Sequence, residues 1–413
     1  MRPVSFGVRS ETDRLEQVIV HTPGAEMDMV SPLDREALLF EDILFLSHAR
    51  KEHELMCAVF EKVIGREEGV LQIRTLLLEA FHEETARFSF VEQLCEASQG
   101  ANLRAFEGDL KRLTPEELCH FALTGVSPLD IEARPVPNLM FMRDLAAVVG
   151  DHIVLSHAAT SARARESIII DVVVHHHPAF SAWEDKIIKL PRGVTFEGGD
   201  LLVASSDTVI IGNSERTSFG GLISVARALF EKTEVQHVIM VSMPQERSCM
   251  HLDTVFTFAA PDECVVFPPL IDQKGLNNVA TFSRDGGPDR MATRMWDTLQ
   301  QALEHHLGHP MSFLPCGGAD PLGQRREQWT DGANLFAVAP GVVLGYDRNE
   351  KTFAGMADKG YRIVTAEGFL SFYESSTFEP GEKMAIKLDG YELSRGRGGP
   401  RCMTMPICRR TES

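Results

Sequence analysis

The sequence contains no uninterrupted apolar run of about 18 residues, the length that a membrane-spanning helix needs, so no membrane span is expected. Its N-terminal stretch, MRPVSFGVRSETDRLEQVIV, also lacks the basic region and apolar segment that mark a secretory signal peptide. The eight cysteines include no CxxC pair and no dense framework. This pattern argues against a structural zinc site and predicts reduced thiols in a cytoplasmic protein.

Positive charge is scarce as well. The chain has 41 Lys and Arg residues against 59 Asp and Glu residues, a formal net charge of -18. Because a field of that sign repels phosphate, we expect neither nucleic acid nor a membrane surface as a partner, and a cationic small substrate is favoured. At 413 residues, 44% of them hydrophobic and 24% charged, the chain is long enough for one large domain or two smaller ones.

One unit recurs along the chain: an apolar stretch, a short turn and a second apolar stretch, the pattern of a β-hairpin. Four copies open on a polar residue, at Asp144, Asp200, Asp253 and Asn334. The segments between them, including GGLISVARALFEKTEV and RMATRMWDTLQQALEHH, have helical period. A fifth copy can be assembled from EQVIVHTPG near the N-terminus and residues near the C-terminus. We therefore predict a closed, pseudo-symmetric α/β array in which the leading polar residues meet around one axis.

One region departs from this unit. Residues 52–127 have helical period throughout, and LTPEELCHF carries the signature of a helix start, with Thr114 as N-cap, Pro115 at the first position and Glu117 completing a capping box. We predict that 52–127 form an inserted α-helical bundle. Residues 1–51 and 128–413 then form the catalytic α/β domain.

Polar residues precede the predicted hairpins in a repeated arrangement. PNLMFMRD, FEGGD and MHLDTVF supply, in this order, Asn138, Phe141, Asp144, Glu197, Asp200, His251 and Asp253. Taken singly, an Asp before a strand can be a turn residue and a lone His a structural one. Their recurrence at one phase of the repeat favours a shared ligand site instead.

A cysteine near the C-terminus indicates the chemistry. In GRGGPRCMTMP, Cys402 follows two arginines and three glycines, and a cysteine together with His251 suggests covalent nucleophilic catalysis. Carboxylates beside the nucleophile would raise the pKa of the thiol and repel the oxyanion of acyl transfer. They suit a planar guanidinium, which carboxylates bind bidentately and whose positive charge favours the thiolate. The residue set therefore indicates a guanidino substrate.

In their order, PNLMFMRD, FEGGD, MHLDTVF, GYDRN and CMTMP resemble the motifs of arginine deiminase, within the guanidino-group-modifying superfamily that has the pentein fold. The resemblance extends from GVRSETDRLEQVIVHTPG to the C-terminal tail. It implies a five-bladed α/β propeller with a helical-bundle insertion and hydrolysis of L-arginine to L-citrulline and ammonia. It also implies that no metal or cofactor takes part and that the protein is a homo-oligomer, either a dimer or a tetramer.

The same resemblance implies a role for individual residues. Cys402 matches the nucleophile, His251 the general acid and base, and Glu197 its hydrogen-bond partner. Asp144 and Asp253 match the residues that hold the guanidinium. The candidates for the remainder of the substrate are Asn138, Phe141, Arg163, Asp200, Arg216 and Arg397. Of these, Phe141 would line the guanidinium pocket, and Arg397 matches a mobile gate.

The chain departs from the family pattern at one place. Many members have GGHC before the nucleophile, whereas this chain has Gly399-Pro-Arg-Cys402. Arg401 therefore stands in place of a histidine, and Pro400 stiffens the loop. We expect this difference to alter gating, pH dependence and affinity.

Several other functions fit part of the pattern. An agmatine hydrolase would not need three arginines for a carboxylate, a methylarginine hydrolase would need more room, and an amidinotransferase would need an acceptor amine. A catalytically silent arginine-binding protein would be expected to have lost the cysteine, the histidine or a carboxylate. A papain-like protease carries its cysteine before its histidine, opposite to the order here.

Overall fold

The structure is a computed structural model that describes residues 7–97, 102–131, 133–272, 275, 278–286, 290–373, 378–379 and 381–411. Among these residues no helix combines the length and the apolar character needed to cross a membrane.

The strands of the described residues are β1 Arg14–Val20, β2 Val70–Gln72, β3 Ala146–Val149, β4 His152–Leu155, β5 Ile187–Ile188, β6 Leu201–Val203, β7 Thr208–Asn213, β8 His237–Ser242, β9 Phe256–Ala260, β10 Glu263–Val266, β11 Val279–Arg284, β12 Met291–Trp296, β13 Ser312–Pro315, β14 Phe336–Ala339, β15 Val342–Tyr346, β16 Arg362–Thr365, β17 Met384–Leu388 and β18 Met405–Arg410.

The α-helices of the same residues are α1 Ala25–Asp28, α2 Leu46–Ile64, α3 Ile73–Phe81, α4 Glu84–Ala97, α5 Glu107–Leu110, α6 Pro115–Thr124, α7 Ala164–His176, α8 Phe219–Lys232, α9 Pro268–Ile271, α10 Leu299–Leu307, α11 Pro321–Trp329, α12 Glu350–Asp358 and α13 Ala366–Phe372.

The strands form five sheets in the described part of the chain, with the strand orders β18-β1-β2, β3-β4-β5, β12-β11-β8-β7-β6, β13-β10-β9 and β14-β15-β17-β16. Every sheet contains an antiparallel pair extended by a parallel strand. These pairs are β1 with β18, β3 with β4, β6 with β7, β9 with β10, and β14 with β15. The four predicted hairpins are confirmed, and so is the pairing of a strand near the N-terminus with one near the C-terminus.

Six strands of the hairpins have nearly continuous apolar sequences because both of their faces are covered. All residues of β3, β6, β9, β10, β14 and β15 are buried. A strand covered on both faces gains nothing from polar residues on either side, so its sequence does not alternate. Helix α8, predicted from its period, packs Leu222, Val225 and Leu229 into the core and begins at an N-cap, Ser218, whose side chain accepts a hydrogen bond from Gly221 N.

Three short 3-10 turns lie before β3, β6 and β9 and position the polar motifs. They span Met142–Leu145 before β3, Gly198–Asp200 before β6 and Leu252–Thr254 before β9. The first turn contacts the second, and the second contacts the third. The polar residues that precede three separate hairpins therefore meet in one place.

Helices dominate residues 46–124, and the capping box of α6 forms as predicted, with Thr114 and Glu117 bonded to each other's backbone amides. A short strand, β2, also lies in this region and pairs in parallel with β1. It was not expected from the helical period. Helix α2 begins at Leu46, six residues before the boundary drawn at 52, and the division into two domains stays a prediction.

The prediction of one continuous helix over RMATRMWDTLQQALEHH is wrong in its first half. Met291–Trp296 is strand β12, which pairs with β11 at the edge of the five-stranded sheet, and only α10 is helical. Met291 and Met295 have the spacing of a helical stripe, but pairing with β11 determines the local structure.

Candidate active site

The site is built around Cys402, which is buried in the loop before β18. Its Sγ atom lies 3.8 and 3.9 Å from the two carboxylate oxygens of Asp253. Its backbone amide donates to Asn334 Oδ1 at 3.1 Å, and Asn334 Nδ2 donates to the carbonyl of Asp253 at 2.9 Å. Asn334, the leading residue of the fourth hairpin unit, thus ties the nucleophile's loop to the turn that carries Asp253.

The histidine of the site lies between two carboxylates. His251 Nε2 is 2.8 Å from Glu197 Oε2, and its Nδ1 is 3.6 Å from Asp144 Oδ1. Burial alone would lower the pKa of His251, but Asp144 and Glu197 outweigh it and raise the pKa to about 10. Burial would raise the pKa of Glu197, yet its contacts with His251 and Arg163 lower it to about 2. At neutral pH the pair is therefore an imidazolium held by a carboxylate.

In contrast to His251 and Glu197, the thiol of Cys402 is kept in its uncharged form. Burial raises the pKa of Cys402 well above its ordinary value, and Asp253, Asp144 and Asp331 raise it further, while Arg401 acts against them. The cysteine is therefore protonated in the empty site at neutral pH. A positive charge placed between Asp144 and Asp253 would offset the part of this rise in pKa that the two carboxylates cause.

Arg401 is enclosed by acidic partners and is one of the largest fully buried side chains of the described residues. Its Nη1 donates to Asp253 Oδ2 at 2.8 Å, and its Nε and Nη2 donate to the carboxylate of Glu11 at 3.2 and 3.0 Å. Leu201 O accepts a further bond at 2.9 Å. Arg401 thus fixes one oxygen of Asp253.

Arg163 is also fully engaged, but not in the way its predicted role would suggest. Its guanidinium donates to Asp144 Oδ2, to Glu166 Oε2 at 2.7 Å and to the carbonyl of Asn138 at 3.1 Å. In the empty site it therefore holds the carboxylate that was predicted to bind the substrate's guanidinium. Asp144 Oδ1, the other oxygen, is buried and has no hydrogen-bond partner among the described residues.

The two remaining arginines line the cavity with unused donors. Arg216 and Arg397 are both buried, and Arg216 Nε together with Arg397 Nε and Nη1 has no hydrogen-bond partner in the described part of the chain. Arg216 Nε lies 3.8 Å from Glu215 Oε1. The Arg397 guanidinium stacks 3.5 Å above the ring of Trp329. Its backbone is in the left-handed region, with φ 64°, a conformation that non-glycine residues seldom adopt.

The cavity has a volume of about 30 Å³ and is lined by the predicted residues Asn138, Phe141, Asp144, Arg163, Arg216, His251, Arg397 and Cys402, among others. The glycines of the loop allow close packing here, since a Cβ on Gly398 would overlap the ring of Phe141.

Three of the predicted site residues, Glu197, Asp200 and Asp253, do not line the cavity. Glu197 contacts His251, and Asp253 contacts Cys402. Asp200 accepts hydrogen bonds from Ser214 Oγ at 2.7 Å and from Leu252 N at 2.9 Å. Burial raises its pKa to about 7. Its contacts connect the turn before β6 to the turn before β9.

Asp144, Glu197 and His251 also meet the geometric condition for a metal site, because one possible ligand atom from each lies within 4.8 Å of the others. Arg163 already contacts both carboxylates, at Asp144 Oδ2 and at 3.7 Å from Glu197 Oε2. The positive charge that a metal would contribute is thus supplied by the protein's own guanidinium and imidazolium.

Three participants were missed by the sequence analysis. Glu11 lies in a loop without a local motif, Trp329 is the last residue of α11, and Asn334 was recognised only as the start of a hairpin. The repeated phase of the hairpin units could have identified Asn334, since it stands where Asp144 and Asp253 stand in theirs. No local signal identifies Glu11.

The comparisons with known sequences agree on one family. Residues 36–409 match the sequence profile of the family described as Arginine deiminase. The chain is 33% identical to the arginine deiminase of Listeria monocytogenes and 32% identical to that of Bacillus cereus, each alignment covering 98% of both chains.

Among solved structures, the protein is similar to an amidinotransferase of saxitoxin biosynthesis from Microseira wollei, with a TM-score of 0.57 and 14% identity over 98% of both chains. It is also similar to the dimethylarginine dimethylaminohydrolase of Pseudomonas aeruginosa, with a TM-score of 0.50 and 13% identity over 95% of this chain and 99% of that one. At these identities the likeness shows a shared mixed α/β fold. The sequence profile and the curated relatives confirm the resemblance seen in the motifs, and the chain belongs to the arginine deiminase family.

Proposed function

We propose that the protein hydrolyses L-arginine to L-citrulline and ammonia, with Cys402 as nucleophile and His251 as general acid and base. The family assignment supports the reaction. The proposed residue roles depend on the geometry of the site, which is argued step by step below.

The buried polar atoms without partners around the cavity are the observation that carries the proposal. Those without a hydrogen-bond partner among the described residues are one carboxylate oxygen, Asp144 Oδ1, and three guanidinium nitrogens, Arg397 Nε, Arg397 Nη1 and Arg216 Nε. The last of these has only an ion-pair contact, at 3.8 Å, with Glu215. A buried polar group without a partner costs about 1–3 kcal/mol, so these atoms predict a ligand that has both donors and acceptors. Arginine has both, because its guanidinium donates to Asp144 and its carboxylate accepts from Arg216 and Arg397.

Binding of the cation activates the thiol. The carboxylates of Asp144 and Asp253 raise the pKa of Cys402 when the site is empty. A bound guanidinium neutralises them and favours the thiolate. Because Arg401 already holds Asp253 Oδ2, Oδ1 of Asp253 is the oxygen left for the substrate.

In the first half of the reaction, Cys402 Sγ attacks the guanidinium carbon, and the bond from that carbon to one terminal nitrogen breaks. His251, protonated before the substrate binds, donates a proton to the departing nitrogen and is left neutral, because the proton of the thiol passes to solvent when the cation binds. The products of this step are ammonia and a cationic thiouronium on Cys402. The hydrogen bond from His251 to Glu197 orients the imidazole throughout.

In the second half, water attacks the thiouronium carbon and gives a proton to His251. The bond between carbon and sulfur then breaks, which releases citrulline and regenerates the cysteine. One water is consumed for each ammonia released, so no oxidant or reductant is required.

The cavity is small, with a volume of about 30 Å³, and the loop that carries Arg397 borders it. We propose that the loop carrying Arg397 opens by breaking its stacking contact with Trp329. Gly396, Gly398 and Gly399 border Arg397 and give this loop its conformational freedom.

We also propose that the five sheets form the blades of one propeller. Their contacts support a closed order: β18 contacts β3, the turn before β6 contacts β3, β6 contacts the turn before β9, β9 contacts β14, and β14 contacts β1. The helical insertion at 52–127, a homo-oligomeric assembly and a cytoplasmic location belong to the same proposal. None of the eight cysteines forms a disulfide, which is consistent with the last of these.

The test is citrulline and ammonia release from L-arginine, with agmatine and a methylated arginine run in parallel, on the wild type and on Cys402→Ser. We expect turnover of L-arginine alone, abolished by the substitution, with arginine binding retained. Turnover of agmatine at a comparable rate would refute the roles given to Arg216 and Arg397. Unchanged turnover by Cys402→Ser would refute the covalent mechanism.

A further inference from the structure

A second polar cavity lies on the outer part of the five-stranded sheet, against α10. Its volume is about 380 Å³, and we call it the histidine cavity after the residues that define it: His237, His305, His306, Arg294, Thr281 and Ser283. None of these residues lines the cavity at Cys402. Among the residues that the structure describes, no Asp or Glu lines the histidine cavity, although the chain as a whole has a net charge of -18.

Arg294 supplies the positive charge of the histidine cavity, and two contacts hold its guanidinium in place. The Arg294 guanidinium stacks 3.8 Å above the Trp296 ring, and its Nη1 lies 3.3 Å from His305 Nε2. Within the described part of the chain, no carboxylate forms an ion pair with Arg294.

The other two histidines form a close pair. The rings of His237 and His306 are 4.3 Å apart at an angle of 36°, and the rings of His305 and His306 are 5.0 Å apart. His237 Nδ1 is 2.9 Å from Ser283 Oγ, and His306 Nε2 is 3.1 Å from Thr281 Oγ1. The cavity thus combines one fixed cation with imidazole and hydroxyl groups, all of which can donate hydrogen bonds.

The pKa values of His237 and His306 are both lowered, which favours the uncharged imidazoles. Burial, together with His237 and His305, lowers the pKa of His306 to about 4, and the opposing influence of Asp207 does not restore it. Burial likewise lowers the pKa of His237, with Asp207 acting against it and His305 with it. An anion bound in the cavity would raise the pKa of both imidazoles and favour their protonated forms.

A metal ion is the obvious alternative ligand for three histidines. In the described residues, however, the only group whose possible ligand atoms converge is Asp144, Glu197 and His251. The imidazoles of the histidine cavity stack with one another, and one ring nitrogen of each already faces a hydroxyl or Arg294. The arrangement suits an acceptor of hydrogen bonds better than a metal.

We propose that the histidine cavity binds a phosphate group, either as inorganic phosphate or as a phosphate monoester, with Arg294 as its charged ligand and the histidines and hydroxyls as further donors. The cavity is larger than a phosphate ion, so the organic part of a monoester can be accommodated. Since binding of an anion raises the pKa of His237 and His306, affinity increases as the pH falls. This proposal does not depend on the proposed activity.

The experiment is calorimetric titration of the intact protein with inorganic phosphate and, separately, with adenosine monophosphate. A third titration with sulfate isolates the proton linkage, because sulfate keeps its charge between pH 6 and pH 8 whereas phosphate does not. We expect one ion bound per chain, with sulfate binding more tightly at pH 6. Tighter binding of the nucleotide than of inorganic phosphate would identify a monoester as the ligand, and the reverse would identify the free ion.

Arg294→Gln is the deciding variant, because Arg294 is exposed and its replacement should not prevent folding. Loss of this charge should weaken binding by about 10- to 150-fold, since hydrogen bonds to charged groups contribute on the order of 1.5–3 kcal/mol. Arg294→Lys should retain part of the affinity. Arg397→Gln is the matched control, because it removes a cation from the other anion-accepting cavity, and it should leave binding unchanged.

The NMR signals of the histidines provide a second readout, which should show the pKa of His237 and His306 rising when sulfate is added. No detectable binding at pH 6 would overturn the proposal. So would equal affinity in Arg294→Gln and the wild type, or a loss of binding in Arg397→Gln alone.

Discussion

Replacement of Arg401 by glutamine tests whether the buried charge network beside the nucleophile is needed for stability. The substitution leaves Glu11 and Asp253 without the cation that now contacts both at 2.8 to 3.2 Å. Breaking a buried ion pair by removing one partner typically costs about 3–5 kcal/mol. We expect the free energy of unfolding at pH 7 to fall by that amount.

An independent figure comes from the pKa of Glu11. Burial alone would raise that pKa, but Arg401 and Arg143 lower it from 4.5 to about 2. At about 1.4 kcal/mol for each pH unit, this difference corresponds to roughly 3 kcal/mol, in agreement with the first figure. Because the folded pKa is the lower one, this stabilisation is complete above pH 4.5 and is lost as the pH falls through about 2. The difference between the wild type and Arg401→Gln should therefore shrink below pH 4.5.

The assay is urea-induced unfolding followed by circular dichroism at a series of pH values, on the wild type, Arg401→Gln, Glu11→Gln and the double variant Glu11→Gln/Arg401→Gln. Removing the uncompensated carboxylate should recover part of the lost stability, so the two changes should not add. A loss below about 1 kcal/mol at pH 7, well under the range for a buried pair, would refute the reasoning. Strict additivity of Glu11→Gln and Arg401→Gln would refute it as well.

Three further predictions concern the cavity. Gly199→Ala places a Cβ 2.8 Å from His251 Cγ and 2.9 Å from Asp144 Oδ1, so turnover should fall at least tenfold in steady-state assays while Gly220→Ala, at a more open position, retains activity. Arg397→Ala should raise the KM for L-arginine by about 10- to 100-fold, the value of one charge-assisted hydrogen bond, and an unchanged KM would contradict its role at the carboxylate. The raised pKa of His251, about 10 when folded against 6.5 when unfolded, contributes stability that is complete below pH 6.5 and lost as the pH rises through 10. Thermal unfolding of His251→Asn should accordingly depend less on pH than that of the wild type between pH 7 and pH 10.

The sequence predicted those features that repeat or that are local. The hairpins follow from apolar runs broken by turn residues, and the convergence of Asp144 with Asp253 follows from their equal position in the repeat. The capping box at Thr114 depends on two residues three apart, so it was predictable from a short segment. Strand β12 was not, because its conformation is fixed by pairing with β11 and not by its own spacing of apolar residues.

The details of the charge network could not be predicted. Glu11 and Arg401 are far apart in the chain, and nothing near either residue indicates the other. That Arg163 holds Asp144 in the empty site depends on the angle at which α7 and its preceding turn approach the cavity. Asp200 shows the converse, since it has the sequence position of a site residue but bonds to Ser214 and Leu252 N.

The pairing of β1 with β18 has a consequence for the order of synthesis. On the ribosome, Arg14–Val20 emerges early, while its antiparallel partner, Met405–Arg410, is made only after all the other strands of the described chain. The edge of β1 that β18 will cover must remain open through that interval, exposed to wrong partners. Cys402 lies three residues before β18, so the nucleophile enters its site only as this last pairing closes. A chain interrupted before Met405 is thus inactive as well as unfinished, and no partly made molecule can consume arginine.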